Sequence, residues 1–205
     1  MTATTFLPGD TILLKSGSVW NGEWLWPKGS GTADAPIKID KYGGDALPVI
    51  NGMGIDRGMN YSGAVHLRNQ EYWEIRNLEV TNDDDFDVDI DLSRPQGDNS
   101  WSSQAETRNG ILIIADGDLL NDGDDGIFNH IYIENCYVHD VDGPNDWNDT
   151  FTGGIIYNVV GTKIRPNTSF RDIRIAYNTI RKVDLLGITG FVPVSYTHLR
   201  AHETG

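Results

Sequence analysis

The chain has 205 residues and a formal net charge of −14, from 30 Asp and Glu against 16 Lys and Arg. That length suits one domain with a sizeable core, and the acidic excess argues against nucleic acid as a partner, because phosphate binding rests on clustered Lys and Arg. Hydrophobic residues make up 39% and Gly numbers 23, which fits a loop-rich β protein rather than a disordered one, and no run approaches the roughly 20 apolar residues of a membrane helix.

In the opening stretch Trp20, Trp24 and Trp26 alternate, as expected of side chains that cap a hydrophobic end. The glycines at 29 and 31 do not make a phosphate loop, because no Gly-Lys-Ser/Thr follows them. Three segments then share one pattern: Trp73-x-Ile75-x-Asn77-Leu78-x-Val80, Ile131-x-Ile133-x-Asn135-Cys136-x-Val138 and Ile173-x-Ile175-x-Tyr177-Asn178-x-Ile180. Period-two alternation predicts a strand with its apolar side chains on one face. The phase breaks at Asn77, Asn135 and Tyr177, which predicts a bend, and Asn tolerates the left-handed backbone such a corner needs.

A second recurring piece starts with Gly and continues apolar: Gly63-Ala64-Val65, Gly110-Ile111-Leu112, Gly154-Ile155-Ile156 and Gly187-Ile188-Thr189. The steps between these glycines are 47, 44 and 33 residues (110−63, 154−110, 187−154). Strand, corner, strand and return, repeated with variable loops, is one coil of a β-solenoid. A lone coil cannot bury its inward face, whereas neighbours stacked about 4.8 Å apart can. Leu78, Cys136 and Asn178 then fall in one stack, with Cys136 as a small buried hydrophobe and Asn178 in a ladder of amides. His66 and His130 are expected to satisfy local hydrogen bonds.

Pro8-Gly9-Asp10-Thr11-Ile12-Leu13-Leu14-Lys15, Ala35-Pro36-Ile37-Lys38-Ile39, Tyr42-Gly43-Gly44 and Pro48-Val49-Ile50-Asn51-Gly52 resemble the first coils of the pectate-lyase-like superfamily. The resemblance runs from Phe6 to about Val192. It implies an all-β, right-handed parallel β-helix and a secreted bacterial protein that acts on polysaccharide. The expected place is therefore extracellular or periplasmic, with a leader upstream of Met1, and the expected state when full length is a monomer. Residues 194–205, which include Val194-Ser195-Tyr196-Thr197-His198-Leu199-Arg200-Ala201-His202-Glu203-Thr204, resemble a translated sequencing-library adapter. They are set aside from fold reasoning as a non-native tail, His198 and His202 with them, and residues 1–193 are read as an incomplete β-helix domain. An open solenoid end is expected to aggregate.

Acidic residues gather where strands end. Asp83, Asp84 and Asp85 follow one repeat, Asp122 and Asp124 lie in the next coil's loop, and Asp140, Asp142 and Asp184 follow later strands. Asp83, Asp140 and Asp184 are expected at equivalent exits along one edge. Crowded carboxylates are relieved by a cation or a raised pKa, so two readings stand: a solvated acidic loop edge, or a Ca²⁺ cofactor held by Asp83, Asp84, Asp85, Asp122 and Asp124.

For cleavage, Asp140, Asp142 and Asp184 are the candidate hydrolytic carboxyls, because adjacent coils supply the separations that glycosidases use, and His139 is placed to tune them. Lys163, Arg165 and Arg181 are candidate substrate-binding cations, and Trp101 and Trp147 candidate stacking platforms for a sugar ring. The expected partner is a polysaccharide or oligosaccharide. Hydrolysis is favoured over Ca²⁺-dependent β-elimination, because the net charge repels a uronate polymer. A non-catalytic glycan-binding or adhesin-like solenoid is the alternative.

Overall fold

The computed structural model describes residues 4–55, 61–83, 107–143, 152–161 and 168–191. Among the described residues fourteen strands wind into five coils, and every pairing between these strands is parallel. The first sheet stacks β1 (Thr11–Lys15), β3 (Ile37–Tyr42), β6 (Trp73–Arg76), β9 (Ile127–Glu134) and β12 (Ser169–Ala176). The second stacks β2 (Val19–Asn21), β4 (Val49–Asn51), β7 (Glu79–Asn82), β10 (Tyr137–Val141) and β13 (Thr179–Val183). The third holds β5 (Tyr61–Arg68), β8 (Thr107–Asp116), β11 (Gly153–Val160) and β14 (Leu186–Phe191), and the first coil crosses it as the single residue Leu25, bridged to Val65. The parallel β-helix read from the repeats is the fold. Among the described residues no helix is long and apolar enough to cross a membrane.

The repeats align as their alternation requires. Ile37, Trp73, Ile131 and Ile173 stand in one column and Ile39, Ile75, Ile133 and Ile175 in the next. The members in the second to fourth coils are fully buried, and each such side chain contributes about 2–3 kcal/mol by leaving water. At the first corner Asn77, Asn135 and Tyr177 have φ of 54°, 56° and 58°. Tyr177 takes this strained conformation while 76% exposed, so no packing compensates it. Tyr177→Asn should therefore raise unfolding stability by about 1 kcal/mol. A urea midpoint that stays put or drops would contradict this account of the corner.

Asn178 does join coils, but through backbone: its Oδ1 accepts from Cys136 N at 2.9 Å and its Nδ2 donates to Ile133 O at 2.8 Å. The positions beneath it are Leu78 and Cys136, which carry no amide. An amide-to-amide contact occurs instead between Asn51 and Asn21, at 3.1 Å. Cys136 is buried, and burial pushes its thiol up to about 12, so it behaves as the small hydrophobe expected.

The Gly-led strands need a correction of one residue. Gly63 pairs with Asn109, so Ala64, Gly110, Gly154 and Gly187 form the true column. A Cβ at Gly110 would lie 2.3 Å from Val138 Cγ1; the missing side chain lets the second sheet's core residue close the corner. Gly29 answers a different need. With φ 109° it lets the chain pass against Phe6, whose N–H donates to Lys28 O at 2.7 Å and whose ring meets Trp73 edge-on at 6.3 Å.

On the outside of the first sheet, charges of opposite sign alternate from coil to coil. Lys38 and Arg76 flank Glu74 at 3.6 and 3.3 Å, and Arg76 and Arg174 flank Glu134 at 3.2 and 2.7 Å. His130 lies 3.2 Å from Glu74 and stacks on Tyr132, in line with its expected hydrogen-bonding role.

Candidate active site

The second corner, where each coil leaves the second sheet for the third, gathers the residues singled out for catalysis. In β10 the inward residues Val138 and Val141 are separated by two residues, whereas Val80 and Asn82 in β7 are separated by one, so the register slips between the coils. The extra residue is a bulge, absorbed by Asp140 at φ 47°. This corrects the expected alignment. Val141 pairs with both Asn82 and Val183, so the residues that follow them, Asp83, Asp142 and Asp184, form the column at the strand exits, and Asp140 lies two residues before it, beside Lys182.

Asp140 has its own cluster on the outer face of the second sheet. Its Oδ2 lies 2.5 Å from His139 Nδ1 and its Oδ1 3.4 Å from Lys182 Nζ. The other ring nitrogen of His139 meets Glu79 Oε1 at 3.2 Å, and the ring stacks on Tyr137 at 4.0 Å. A neutral imidazole can donate to only one of these carboxylates. Burial by itself raises the Asp140 carboxyl, but His139 and Lys182 together outweigh it and hold the group below the usual carboxylate range. Asp140 is thus held ionised at neutral pH, which suits a charged or positioning role and not that of a proton donor.

Asp142 and Asp184 stand on adjacent coils. Asp142 N donates to Asn82 O at 3.3 Å, Asp184 N to Val141 O at 3.0 Å, and Gly143 N to Asp184 Oδ2 at 3.2 Å. Stacking puts their Cα atoms about 4.8 Å apart. The corner is anchored from beneath by Asn82, whose Oδ1 accepts from Gly54 N and whose Nδ2 donates to Asn109 O, both at 3.0 Å. Arg181 pairs in register with His139. Trp101, Trp147, Lys163, Arg165, Asp84 and Asp85 lie outside the described residues, as do residues 194–205.

Of the acidic residues expected to hold Ca²⁺, the three described ones are not brought to one place. Asp83 is at the second corner, whereas Asp122 and Asp124 lie at the third, beyond β8. From Asn109, which touches Asn82, to Asp116 the strand spans on the order of 23 Å. At the third corner Asp124 caps its own turn by accepting from Asn121 N at 2.8 Å. Among the described residues no group of three or more His, Cys, Asp or Glu is placed to hold a metal ion.

Sequence reasoning missed Glu79, whose outward position is legible only after β7 and β10 are aligned. It also misjudged His66. Instead of satisfying hydrogen bonds, the His66 ring is fully buried on the outer face of the third sheet, stacked on Trp26 at 4.7 Å and 7°, with neither nitrogen bonded. Burial, with the positive charge of Arg68, lowers it to about 3.

No family model matches the chain. A lacto-N-biosidase from Bifidobacterium longum subsp. longum is 30% identical over 231 aligned positions, which cover 93% of this chain and 14% of that protein. The native crystal structure of a GH136 lacto-N-biosidase from Eubacterium ramulus superposes with a TM-score of 0.72 at 24% identity, over 92% of this chain and 31% of that one. Its selenomethionine derivative gives 0.68, over 88% and 30%. This chain therefore spans a minor part of each relative's length. The structural likeness establishes the shared fold and leaves the pectate-lyase-like affiliation without support.

Proposed function

We propose that this chain is part of a glycoside hydrolase that cleaves an oligosaccharide, in the manner named for its lacto-N-biosidase relatives, with the second corner as its catalytic edge. The observation that carries the reading is the alignment with the Bifidobacterium longum protein, which takes in 93% of the chain. The corner's chemistry supports it. Two carboxyls that start from Cα atoms about 4.8 Å apart can reach the roughly 5–5.5 Å separation of a retaining glycosidase. Asp184, which already accepts the Gly143 N–H, suits the ionised partner that attacks the anomeric carbon. Asp142 then donates a proton to the leaving oxygen and later takes one from water. Arg181 and the His139–Asp140–Lys182 cluster flank that edge as polar contacts for sugar hydroxyls.

The test is product analysis. The 205-residue chain, and the longest polypeptide its gene encodes, are incubated with a chromogenic lacto-N-bioside and an oligosaccharide panel, with and without EDTA. Hydrolysis predicts new reducing ends without absorbance near ~235 nm, since no C=C forms next to a carboxylate. That absorbance would mean β-elimination and overturn the proposal. Glycan binding without cleavage would put a non-catalytic solenoid in its place. Loss of activity in EDTA, restored by Ca²⁺, would support the calcium expectation.

A further inference from the structure

The three tryptophans of the first coil do not act together. Trp20 stands in register with Ile50 and packs on the core. The chain then meets the third sheet at Leu25, which is buried and bridged to Val65, so its two neighbours, Trp24 and Trp26, face outward. Both are half-buried, and their rings meet edge to face at 5.1 Å and 64°. Trp24 and Trp26 thus depart from the expected capping role and form an aromatic pair on the outer face of the third sheet.

The pair is held in place. Leu25 N donates to Ala64 O at 2.7 Å and His66 N to Leu25 O at 3.0 Å. Gln70 Nε2 donates to Pro27 O at 3.0 Å and to Gly29 O at 2.8 Å, which fixes the chain just beyond Trp26. Beneath Trp26 lies the parallel ring of His66, with both nitrogens buried and unbonded. Unpaired buried nitrogens cost stability, and departures of that kind collect at functional sites.

The margin of the pair is polar. Lys28 Nζ lies 5.9 Å from the centre of the Trp26 ring, and Lys28 and Glu23 are both exposed. Rigid rings offer apolar contact at low entropic cost, and a donor and an acceptor stand beside them. A pyranose is the complement, with an apolar C–H face and a rim of hydroxyls. The net charge of −14 disfavours a uronate-bearing chain, which leaves a neutral sugar.

We propose that Trp24 and Trp26 form a binding platform for a neutral oligosaccharide. The first coil stands three coil steps from Asp142, on the order of 14 Å along the solenoid axis, so the platform is separate from the second corner. It holds glycan whether or not that corner cleaves one.

Isothermal titration and tryptophan fluorescence of the 205-residue chain test it, with neutral β-linked hexose and N-acetylhexosamine oligosaccharides of two to six units as probes. The expected result is binding with a Kd of about 1 mM or tighter, accompanied by a fluorescence change. Trp24→Ala and Trp26→Ala should each weaken it at least tenfold. Asp184→Asn and Tyr42→Ala, the latter at an exposed ring on the first sheet, should leave it unchanged. All variants should keep the parent far-ultraviolet circular dichroism. Should Trp26→Ala fail to fold, Trp24→Ala carries the test alone. No binding at about 10 mM sugar would overturn the proposal, and so would binding that survives Trp24→Ala. A loss in Asp184→Asn as large as in Trp24→Ala would place the sugar at the second corner and overturn it too. Self-association that Trp24→Ala abolishes, with no sugar bound by the parent, would make the pair a protein contact instead.

Discussion

Asp142→Asn and Asp184→Asn should each lower hydrolysis by about 10³-fold, whereas Asp140→Asn should leave it within about tenfold of the parent. The contrast follows from the corner's register. Asp142 and Asp184 are consecutive members of one column, on coils held by the Val141–Val183 pair. Asp140 is displaced by the bulge and committed to His139 and Lys182. Asn keeps the shape of Asp but can neither attack carbon nor donate a carboxylic proton.

The two proposed catalytic carboxyls are separable by leaving group. A good leaving group needs little protonation, so Asp142→Asn should lose less activity on a nitrophenyl glycoside than on a natural oligosaccharide. Asp184→Asn should lose activity on both. Added azide, acting as an external nucleophile, should rescue one of the two variants and give a product whose anomeric configuration identifies the missing role. Full activity in both variants would remove the second corner from the mechanism. A loss in Asp140→Asn as large as in Asp184→Asn would restore Asp140 to the site.

The coil was legible because a solenoid writes the same constraint into each turn. Ile75, Ile133 and Ile175 share a column because each must face the same interior, and Asn77, Asn135 and Tyr177 share a φ near +55° because each coil turns the same corner. The bulge at Asp140 was hidden because alternation simply ends at a strand exit. Its trace, two inward valines three residues apart, acquires meaning only against the two-residue spacing of Val80 and Asn82. Gly63 misled for a related reason: it stands one position before the column, opposite Asn109, and a glycine there looks in sequence like Gly110 or Gly154 within it. The alternating charges on the first sheet were equally present in the letters. Glu74 and Glu134 read as ordinary surface acids until the coils are stacked and Arg76 is seen to fall between them. His66 lay furthest from sequence reasoning, because an outward position on a sheet is ordinarily wet. Nothing in its neighbourhood in sequence announces that Trp26, forty residues earlier, lies flat upon it.

That buried imidazole should make the protein sensitive to mild acid. The folded state keeps His66 neutral down to about pH 3, whereas the unfolded chain takes up a proton near the ordinary value of 6.5. Below 6.5 the unfolded state therefore binds more protons, and stability falls as the pH is lowered through the window from 6.5 towards 3. Between pH 7.5 and pH 4.5 the loss from this one group is about 3 kcal/mol, a large part of an ordinary domain's stability. Asp140 acts in a different range: its lowered carboxyl stabilises the fold above the unfolded value of 3.8 and loses that contribution only in stronger acid. His66→Phe keeps a flat ring against Trp26 and removes both unbonded nitrogens. Its stability should equal or exceed the parent's at pH 7.5, and its urea midpoint should stay nearly level down to pH 4.5 while the parent's falls. Parallel curves for the two proteins would show that His66 is not the group being titrated, and that the third sheet's outer face admits water or a proton that this packing excludes.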